Sequence, residues 1–408
     1  MLFNLQNKKL IMFQHQHNHL ASALSLAFAA FLAAGAANAA QVTVGGKIDT
    51  GLTYTHADGG VSPKTDTLEM SSGNYLANRI IIRGYEDISD ATRAGFYLES
   101  GFDSDTGAMK TENTLFDRGS WLYVKNEAWG QLSRGRIGLL RTGATPLNYF
   151  TTGERINPFG TGWGGAAQPM YITPFAEQLR SNMVHWQSAK VNGFAMSAQY
   201  SMGNGDGEEN KASSDRYAAL SVTYDGEKTE LVGMVDWMNE KSANADGSAP
   251  ENPDPKDAFS VMLGGNVDFG FAKFYAWAQW FEDWNRIMMI PGNVAGYEPP
   301  LTGDEISGCT VTLASRIPAW GGFINLQASY MDADNNVAFR QGANMSEEKD
   351  MSRLGLFAGY EYHLSKRTVL YTAASFYKDD ITIVSADRSK IAEDPASLQL
   401  MAGLEVDF

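Results

Sequence analysis

The 408-residue sequence has one cysteine, six histidines and, after its first forty residues, no long apolar run. With Cys309 alone an intramolecular disulfide is impossible, so an exported chain must be stabilised by other means. A membrane helix needs about 18 or more consecutive apolar residues, so a bundle of membrane-spanning helices is excluded. His56, His185 and His363 lie too far apart in sequence to form a metal motif, and we expect no metal site and no cofactor.

Residues 1–40 have the parts of an export signal. A polar region with two lysines precedes residues 21–37, which are almost wholly Ala, Leu and Phe, and Ala37-Asn38-Ala39 follows directly. Small residues at this spacing are what a signal peptidase requires. We therefore expect residues 1–40 to be a cleaved signal peptide and residues 41–408 to be the mature protein.

The chain is acidic, with a formal net charge of -15 at pH 7. Removal of the predicted signal peptide takes two positive charges and no carboxylate, and leaves -17. Phosphate binding requires a basic surface. Nucleic acid is therefore excluded as a partner.

The dominant pattern after residue 40 is alternation of apolar and polar residues in segments of about ten, separated by Gly, Asp and Asn clusters. In the last segment every second position is apolar, namely Leu398, Leu400, Ala402, Leu404, Val406 and Phe408. Segments of about ten residues can cross a bilayer at a tilt, and aromatic residues crowd their ends as in interfacial girdles. A sheet in lipid must close to pair its backbone. We predict an all-β transmembrane barrel, apolar outside and polar inside.

Sixteen segments fit this pattern, an even number as in bacterial barrels. The predicted strands are 42–54, 77–88, 92–103, 116–126, 129–137, 181–190, 193–202, 215–225, 228–238, 258–268, 271–282, 307–316, 321–331, 352–363, 366–377 and 397–408. Short connections alternate with long polar ones such as 55–75, 332–350 and 378–396, which we assign to the periplasm and the exterior. The longest connection, 138–180, carries six aromatic residues and must pack on protein, so we expect it to fold into the barrel.

Several ordered motifs resemble the Gram-negative general porins, particularly those of β-proteobacteria. Arg79 to Arg83 followed by Gly84-Tyr85-Glu86-Asp87 is similar to the family's second strand and turn. Leu98-Glu99-Ser100-Gly101-Phe102 and Gly130-Gln131-Leu132 running into Gly135-Arg136 are similar to later segments. The resemblance covers the mature chain.

This resemblance implies a 16-stranded antiparallel up-and-down β-barrel with an inward-folded third external loop, assembled as a homotrimer in the outer membrane of a Gram-negative bacterium. It implies a diffusion channel and no enzyme activity. The implied partners are outer-membrane lipid and lipopolysaccharide, the barrel-assembly machinery, and small hydrophilic solutes and ions.

The resemblance also implies a pore constriction between the third loop, here 138–180, and a basic wall. The candidate residues are Glu154 and Glu177 on the loop and Arg79, Arg83, Arg136, Lys47 and Arg118 on the wall. Arg79 and Arg83 lie four residues apart and so share one strand face. Opposed charges would make permeation depend on size and charge. For each arginine the ordinary alternative is a solvated position in a wide vestibule or a pair with a neighbouring carboxylate.

The C-terminal Phe408, with Val406 and Leu404 in its register, resembles the signal read by the barrel-assembly machinery. The end of any lipid-facing strand would look similar, so both roles remain open at this point.

Other functions also remain open. A substrate-selective channel for a sugar or an organic anion is the main alternative, because aromatic residues are expected to face inward: Tyr97, Trp121, Tyr123, Tyr275 and Trp277. An outer-membrane enzyme is disfavoured because such barrels usually have fewer than sixteen strands, and activity lost on mutation of His185 or His363 would reverse this interpretation. An adhesin is disfavoured because the loops lack repeats. Chain charge favours cations and the arginines favour anions. Since salt screens distant loops within about 8 Å, we expect weak anion preference or near neutrality.

Overall fold

The computed structural model describes residues 41–59, 62–142, 153–163, 178–205, 209–241, 256–287, 302–335, 348–384 and 390–408. The strands in this part of the chain are β1 (Gln41–Gly59), β2 (Ser62–Ser72), β3 (Arg79–Ser89), β4 (Thr92–Gly101), β5 (Gly119–Asn126), β6 (Gly130–Gly138), β7 (Leu179–Gln187), β8 (Phe194–Ser201), β9 (Arg216–Asp225), β10 (Thr229–Asn239), β11 (Ala258–Asp268), β12 (Lys273–Arg286), β13 (Thr302–Ala319), β14 (Gly322–Asn335), β15 (Glu348–Ser365), β16 (Thr368–Val384), β17 (Lys390–Glu393) and β18 (Ala396–Asp407). One short helix, α1, covers Gly153–Ile156.

All strand pairs are antiparallel, and the pairing of β1 with β18 closes the sheet into a barrel. β2 and β3 pair in turn with the two halves of β1, and β17 and β18 pair in turn with β16. Each of these two couples therefore fills one position in the ring. The 18 segments make 16 positions, which confirms the predicted closed 16-stranded barrel.

The main differences from the predicted strands lie at the outer ends of the hairpins. The predicted loop 55–75 is mostly strand, because β1 continues to Gly59 and β2 follows from Ser62. The loops predicted at 332–350 and 378–396 are shortened in the same way by strands β14 to β17. The prediction of loop from polarity was wrong here, because backbone pairing needs no apolar side chain and continues above the bilayer.

The short turns lie on one rim of the barrel, together with the first and last barrel residues, Gln41 and Phe408. The turns after β3, β5, β9, β11, β13 and β15 contain two to four residues between strands. Gly270 and Gly321 have φ of 84° and 80° in two of these turns, a backbone conformation that glycine adopts without strain. The longer connections, including the one that carries α1, leave the opposite rim.

The apolar core lies partly inside the barrel. Outward positions such as Leu263 and Leu313 are exposed, as a lipid-facing surface requires, while inward positions include a buried cluster with Met183, Met234 and Trp277. The prediction of a polar inner face is therefore incomplete. Inside a barrel crossed by a loop, apolar side chains can pack against that loop as in a soluble core. No helix among the described residues is long and apolar enough to cross a membrane.

Candidate functional site

Between β2 and β3 the chain leaves the sheet and turns into the lumen; we call residues 73–78 the inward bend. Asp49 of β1 is fully buried and holds the bend in place. Its carboxylate accepts hydrogen bonds from the backbone N–H of Tyr75 (2.5 Å) and from the hydroxyl of Tyr371 on β16 (2.6 Å). Hydrogen bonds to a charged acceptor are the strong ones. Asp49 thus connects the inward bend to β1 and, through Tyr371, to β16, which lies on the other side of β18.

Residues 153–163 of the longest connection lie against the lumen wall and contact the inward bend. The backbone N–H of Trp163 donates to the carbonyl oxygen of Tyr75 (2.7 Å). The Trp163 side chain is 2% exposed and packs edge-on against Phe357 and Tyr371, with ring centroids 5.9 Å apart in both cases. Phe159 packs on Phe357 as well, at 4.2 Å. This end of the segment is therefore anchored to β15 and β16 by aromatic packing.

The other end of the segment is anchored to the opposite wall. Arg155 of α1 forms an ion pair with Asp225 at the end of β9, and its carbonyl oxygen accepts from Asn266 of β11 (3.1 Å). The segment therefore crosses the lumen. We call the inward bend and residues 153–163 together the lumen partition.

A basic cluster faces the lumen on β3 to β5. Arg79 Nη1 and Arg118 Nε both donate to Glu99 Oε1, at 3.1 and 2.7 Å. The Tyr97 hydroxyl donates to the other oxygen of Glu99 at 2.8 Å, and the Glu99 side chain is 0% exposed. Two cations share one carboxylate, so the cluster keeps a surplus positive charge. Arg79 Nε also donates to the carbonyl oxygen of Ala77, which joins this cluster to the inward bend (2.8 Å).

The other predicted wall residues have different surroundings. Arg83 is exposed, and within the described ranges its guanidinium bonds only to the neutral Thr43 hydroxyl (3.3 Å). Lys47 faces Glu405 (3.0 Å) and Asp407 (2.5 Å), so its charge is compensated. The structure thus gives Arg83 an uncompensated charge and Lys47 a neutralised one.

Arg136 does not join the Glu99 cluster. Its Nε donates to the carbonyl oxygen of Asp117 (2.6 Å) and its Nη1 to the Ser181 hydroxyl of β7 (3.1 Å). These contacts tie β6 to its two neighbours. The described contacts therefore bring together Arg79 and Arg118, and leave Arg136 apart.

Of the two predicted loop carboxylates, Glu154 lies on α1 and is exposed, whereas Glu177 lies outside the described residues. Helix α1 contacts β10, β11 and β12. In a ring of 16 positions β4 and β12 are eight apart and therefore opposite each other. Helix α1, and with it Glu154, thus lies on the wall opposite the basic cluster. Opposed charges across the pore remain a prediction.

Glu99 is one of the site residues that the sequence-based prediction missed. Its signal was available, since Glu99 lies two residues from Tyr97 and so shares its inward strand face. A carboxylate on a strand that also faces two arginines is expected to pair with them.

His185 and His363, the two histidines named for the enzyme alternative, have different surroundings. His185 is fully buried and neither ring nitrogen has a hydrogen-bond partner, while His363 Nε2 lies 3.8 Å from a Glu361 oxygen. No group of three metal-binding side chains occurs within the part of the chain that the structure covers.

Phe408 lies where the barrel closes. Its backbone N–H donates to the Gly46 carbonyl (3.1 Å) and its carbonyl accepts from the Gly46 N–H (3.2 Å). Leu404 and Val406 pair with Thr50 and Ile48 of β1 and are exposed on the outer face. The predicted assembly signal is thus also the end of the closing strand.

We expect deletion of Phe408 to reduce the yield of membrane-inserted barrel, because it removes two backbone hydrogen bonds and an aromatic ring from the closure. The measurement is the fraction of heat-modifiable protein in outer-membrane preparations. Phe408→Tyr keeps the backbone bonds and the ring and is the matched control. Normal insertion of the truncated chain would count against a role in assembly.

A closed 16-position barrel with an apolar belt, crossed inside by a loop segment beside a basic cluster, is a transmembrane channel protein. A family model described as Gram-negative porin matches residues 22–382. The chain belongs to the Gram-negative porin family, and its predicted family and outer-membrane location are confirmed.

Curated relatives agree with this assignment, and a solved structure has the same fold. An outer membrane porin protein of Bordetella pertussis is 30% identical over 376 residues, covering 86% of this chain and 93% of that protein. Outer membrane porin protein 32 of Delftia acidovorans is 24% identical over 362 residues, covering 87% and 89%. An anion-selective porin from Comamonas acidovorans has a similar fold, with a TM-score of 0.63 at 19% identity, covering 91% of this chain and 100% of that one.

Proposed function

We propose that this outer-membrane porin is a weakly anion-preferring pore for ions and small hydrophilic solutes, narrowed between the lumen partition and the basic wall. The observation that carries the proposal is the surplus positive charge of Arg79 and Arg118 over Glu99, placed directly beside the inward bend. Exposed Arg83 adds a second uncompensated charge on the same strand face. A narrow lumen strengthens such fields, because little water screens them.

The net charge of the chain does not decide the selectivity. Salt screens the field of acidic residues on the outer loops within a Debye length, about 8 Å at physiological ionic strength, before that field reaches a permeating ion. The arginine side chains line its path. The nearer charges therefore outweigh the more numerous distant ones.

The aromatic pair on β4 and β5 weighs against the sugar-selective alternative. Tyr97 and Trp121 stack on each other, with ring centroids 4.2 Å apart and planes 16° apart. Both are buried, and the Tyr97 hydroxyl already donates to Glu99. One face of each ring is therefore occupied, and burial leaves little of the other face for stacking on a sugar.

Planar-bilayer recording of the purified protein tests the proposed pore. Stepwise conductance is expected, with a reversal potential under a potassium chloride gradient that indicates modest preference for chloride. Stepwise conductance with clear preference for potassium would contradict the anion preference. Absence of conductance from a correctly folded barrel would contradict the pore.

We propose that residues 1–40 are removed as a signal peptide and that residues 138–180 form the constriction loop of a barrel covering 41–408. Mass spectrometry of the membrane-embedded protein should then give an N-terminus at Ala40 or Gln41. We also propose that the chain is not an enzyme. Hydrolytic activity of the purified protein that is abolished by substitution of His185 or His363 would overturn the proposal that the chain is not an enzyme.

Assembly as a homotrimer is proposed from the family and from one side chain on the outer face. Arg134 of β6 is exposed between Leu122 and Val184, its outward-facing neighbours on β5 and β7. It has no hydrogen bond or ion pair within the described residues. An arginine facing lipid near the bilayer midplane costs about 2–4 kcal/mol, which contact with a neighbouring subunit would avoid.

The variant Arg134→Leu distinguishes a subunit interface from a lipid-facing surface at this position. At a subunit interface the change should lower the temperature at which the oligomer dissociates, because a polar contact is lost. On a lipid-facing surface it should raise the stability of the barrel by up to about 2–4 kcal/mol. Gel mobility of unheated samples across a temperature series measures the first effect, and urea unfolding in lipid vesicles measures the second.

A further inference from the structure

A second charged region lies on the lumen side of β10 to β14, beneath α1. Here the wall and the partition enclose a pocket of about 410 Å³, which is in the size range of small-molecule sites. The side chains that carry the argument are Glu154, Asp268, Tyr275, Phe323 and Pro158. All of the wall positions lie close to the short turns, so the pocket opens toward the periplasmic half of the lumen.

The charge of this pocket is negative once the ion pairs are assigned. Lys273 pairs with Glu230 (3.2 Å), Arg316 with Glu361, and Arg155 with Asp225, which it shares with Lys190; four cations therefore face five carboxylates. Two carboxylates remain without a cation among the described residues, Glu154 and Asp268.

Glu154 has no hydrogen bond either within the described ranges, and Asp268 accepts only from the Gly270 N–H in its own turn (2.7 Å). Both carboxylates therefore retain free acceptor capacity that faces the pocket.

Tyr275 supplies an independent sign of a ligand. The residue is 6% exposed and lines the pocket, yet its hydroxyl has no hydrogen-bond partner in the part of the chain that is described. The hydroxyl lies among the charges of Arg316, Glu154, Glu230 and Asp268. Buried phenols normally find a partner, so this one is available to a molecule in the pocket.

We propose that the pocket is a binding site for organic ammonium groups passing through the pore. The ammonium would donate to the Glu154 carboxylate and the Tyr275 hydroxyl. The apolar part of the solute would lie against Pro158 and the side of the Phe323 ring that is left free by the Arg316 guanidinium, which lies 4.1 Å from the ring centroid. Carboxylates and aromatic faces are the groups that recognise such cations. This proposal rests on the proposed pore, since the pocket is reached from its lumen.

Benzylammonium and the neutral benzyl alcohol, which has nearly the same shape, are suitable probes. Each is titrated on the periplasmic side of single wild-type channels in a planar bilayer. Benzylammonium should interrupt the current at concentrations at least tenfold below those of benzyl alcohol, as expected for about one charge-assisted hydrogen bond. Equal effects of the two probes on a conducting channel would overturn the binding site and leave the pore intact.

Variants then locate the site. Glu154→Gln with Asp268→Asn should raise the half-blocking concentration of benzylammonium about tenfold, and Tyr275→Phe about threefold, since each removes hydrogen-bond partners of the ammonium. Glu112→Gln with Asp105→Asn makes the same charge change on an exposed external loop and should have no such effect. A comparable loss in this control would show that general acidity, not the pocket, attracts the probe.

Calorimetric titration of the detergent-folded protein keeps the two proposals separate. Binding of benzylammonium that is lost in Glu154→Gln supports the site even if no conductance is seen. No heat of binding at concentrations that block wild-type channels would contradict it. A barrel that binds but does not conduct would contradict only the pore.

Discussion

Replacement of Arg79, Arg83 and Arg118 by glutamine is expected to change the pore from weakly anion-preferring to cation-preferring. The three side chains supply the uncompensated positive charge of the basic wall, and their loss leaves the Glu99 carboxylate without a cation. Each charge about 4 Å from a permeating ion contributes about 1 kcal/mol even in water, so we expect the permeability ratio to shift by at least fivefold. The measurement is the reversal potential of single channels under a potassium chloride gradient.

The matched control for this change removes three positive charges away from the wall. Lys64, Lys366 and Arg367 are exposed at the two rims, and their replacement by glutamine changes the net charge equally. The control should leave the reversal potential within experimental error of the wild type. If both variants gave the same shift, the arginine wall would not be the source of the selectivity.

Because Glu99 is fully buried, the triple variant can also lose stability, as expected for a buried charge that has lost its partners. Adding Glu99→Gln to it removes that charge. This quadruple variant should fold as well as the wild type and show a smaller cation preference than the triple variant. The comparison separates loss of selectivity from loss of structure.

Gly162→Ala is expected to open the pore. A Cβ atom at residue 162 would lie 2.1 Å from the Tyr75 carbonyl oxygen and 2.9 Å from Leu76 Cδ2, so the two parts of the lumen partition must separate. Overpacking of this kind costs about 1–3 kcal/mol. It also disturbs the neighbouring hydrogen bond from Trp163 to Tyr75. Single-channel conductance and the uptake rate of large neutral solutes in liposome swelling should both rise.

Gly205→Ala is the matched control, because a Cβ atom added at that external glycine has nothing within 4 Å. Its conductance should equal that of the wild type. Unchanged conductance in Gly162→Ala, in a barrel of wild-type stability, would contradict a narrowing role for the partition.

The sequence predicted the middle of each strand well, for a physical reason. Lipid outside and charged groups inside impose a period of two wherever a strand crosses the bilayer. Above the bilayer only backbone pairing is required, so β2 and the outer parts of β14 to β16 carry no such pattern and were predicted as loops. The inward bend was also unpredictable, because it depends on a hydrogen bond to Asp49 from the backbone N–H of Tyr75, 26 residues further along the chain.

The candidate site was predictable in part. Arg79 and Arg118 could be assigned to the wall, but the neutralisation of Lys47 could not. Lys47 meets Glu405 and Asp407 only because the first and last strands pair in one register, which local sequence does not specify. The buried methionines inside the barrel were likewise not predicted, because a polar lumen was expected. They pack against chain segments that fold inward, and the alternation pattern does not indicate such segments.

The bond between Asp49 and Tyr371 joins residues 322 positions apart in sequence. Tyr371 of β16 and Phe357 of β15 also carry aromatic contacts of Trp163. These partners come into reach only when the two ends of the sheet meet. During biogenesis the width of the pore is consequently determined only after the first and last strands have paired. A barrel in which these strands have not paired lacks the contacts that hold the lumen partition in place.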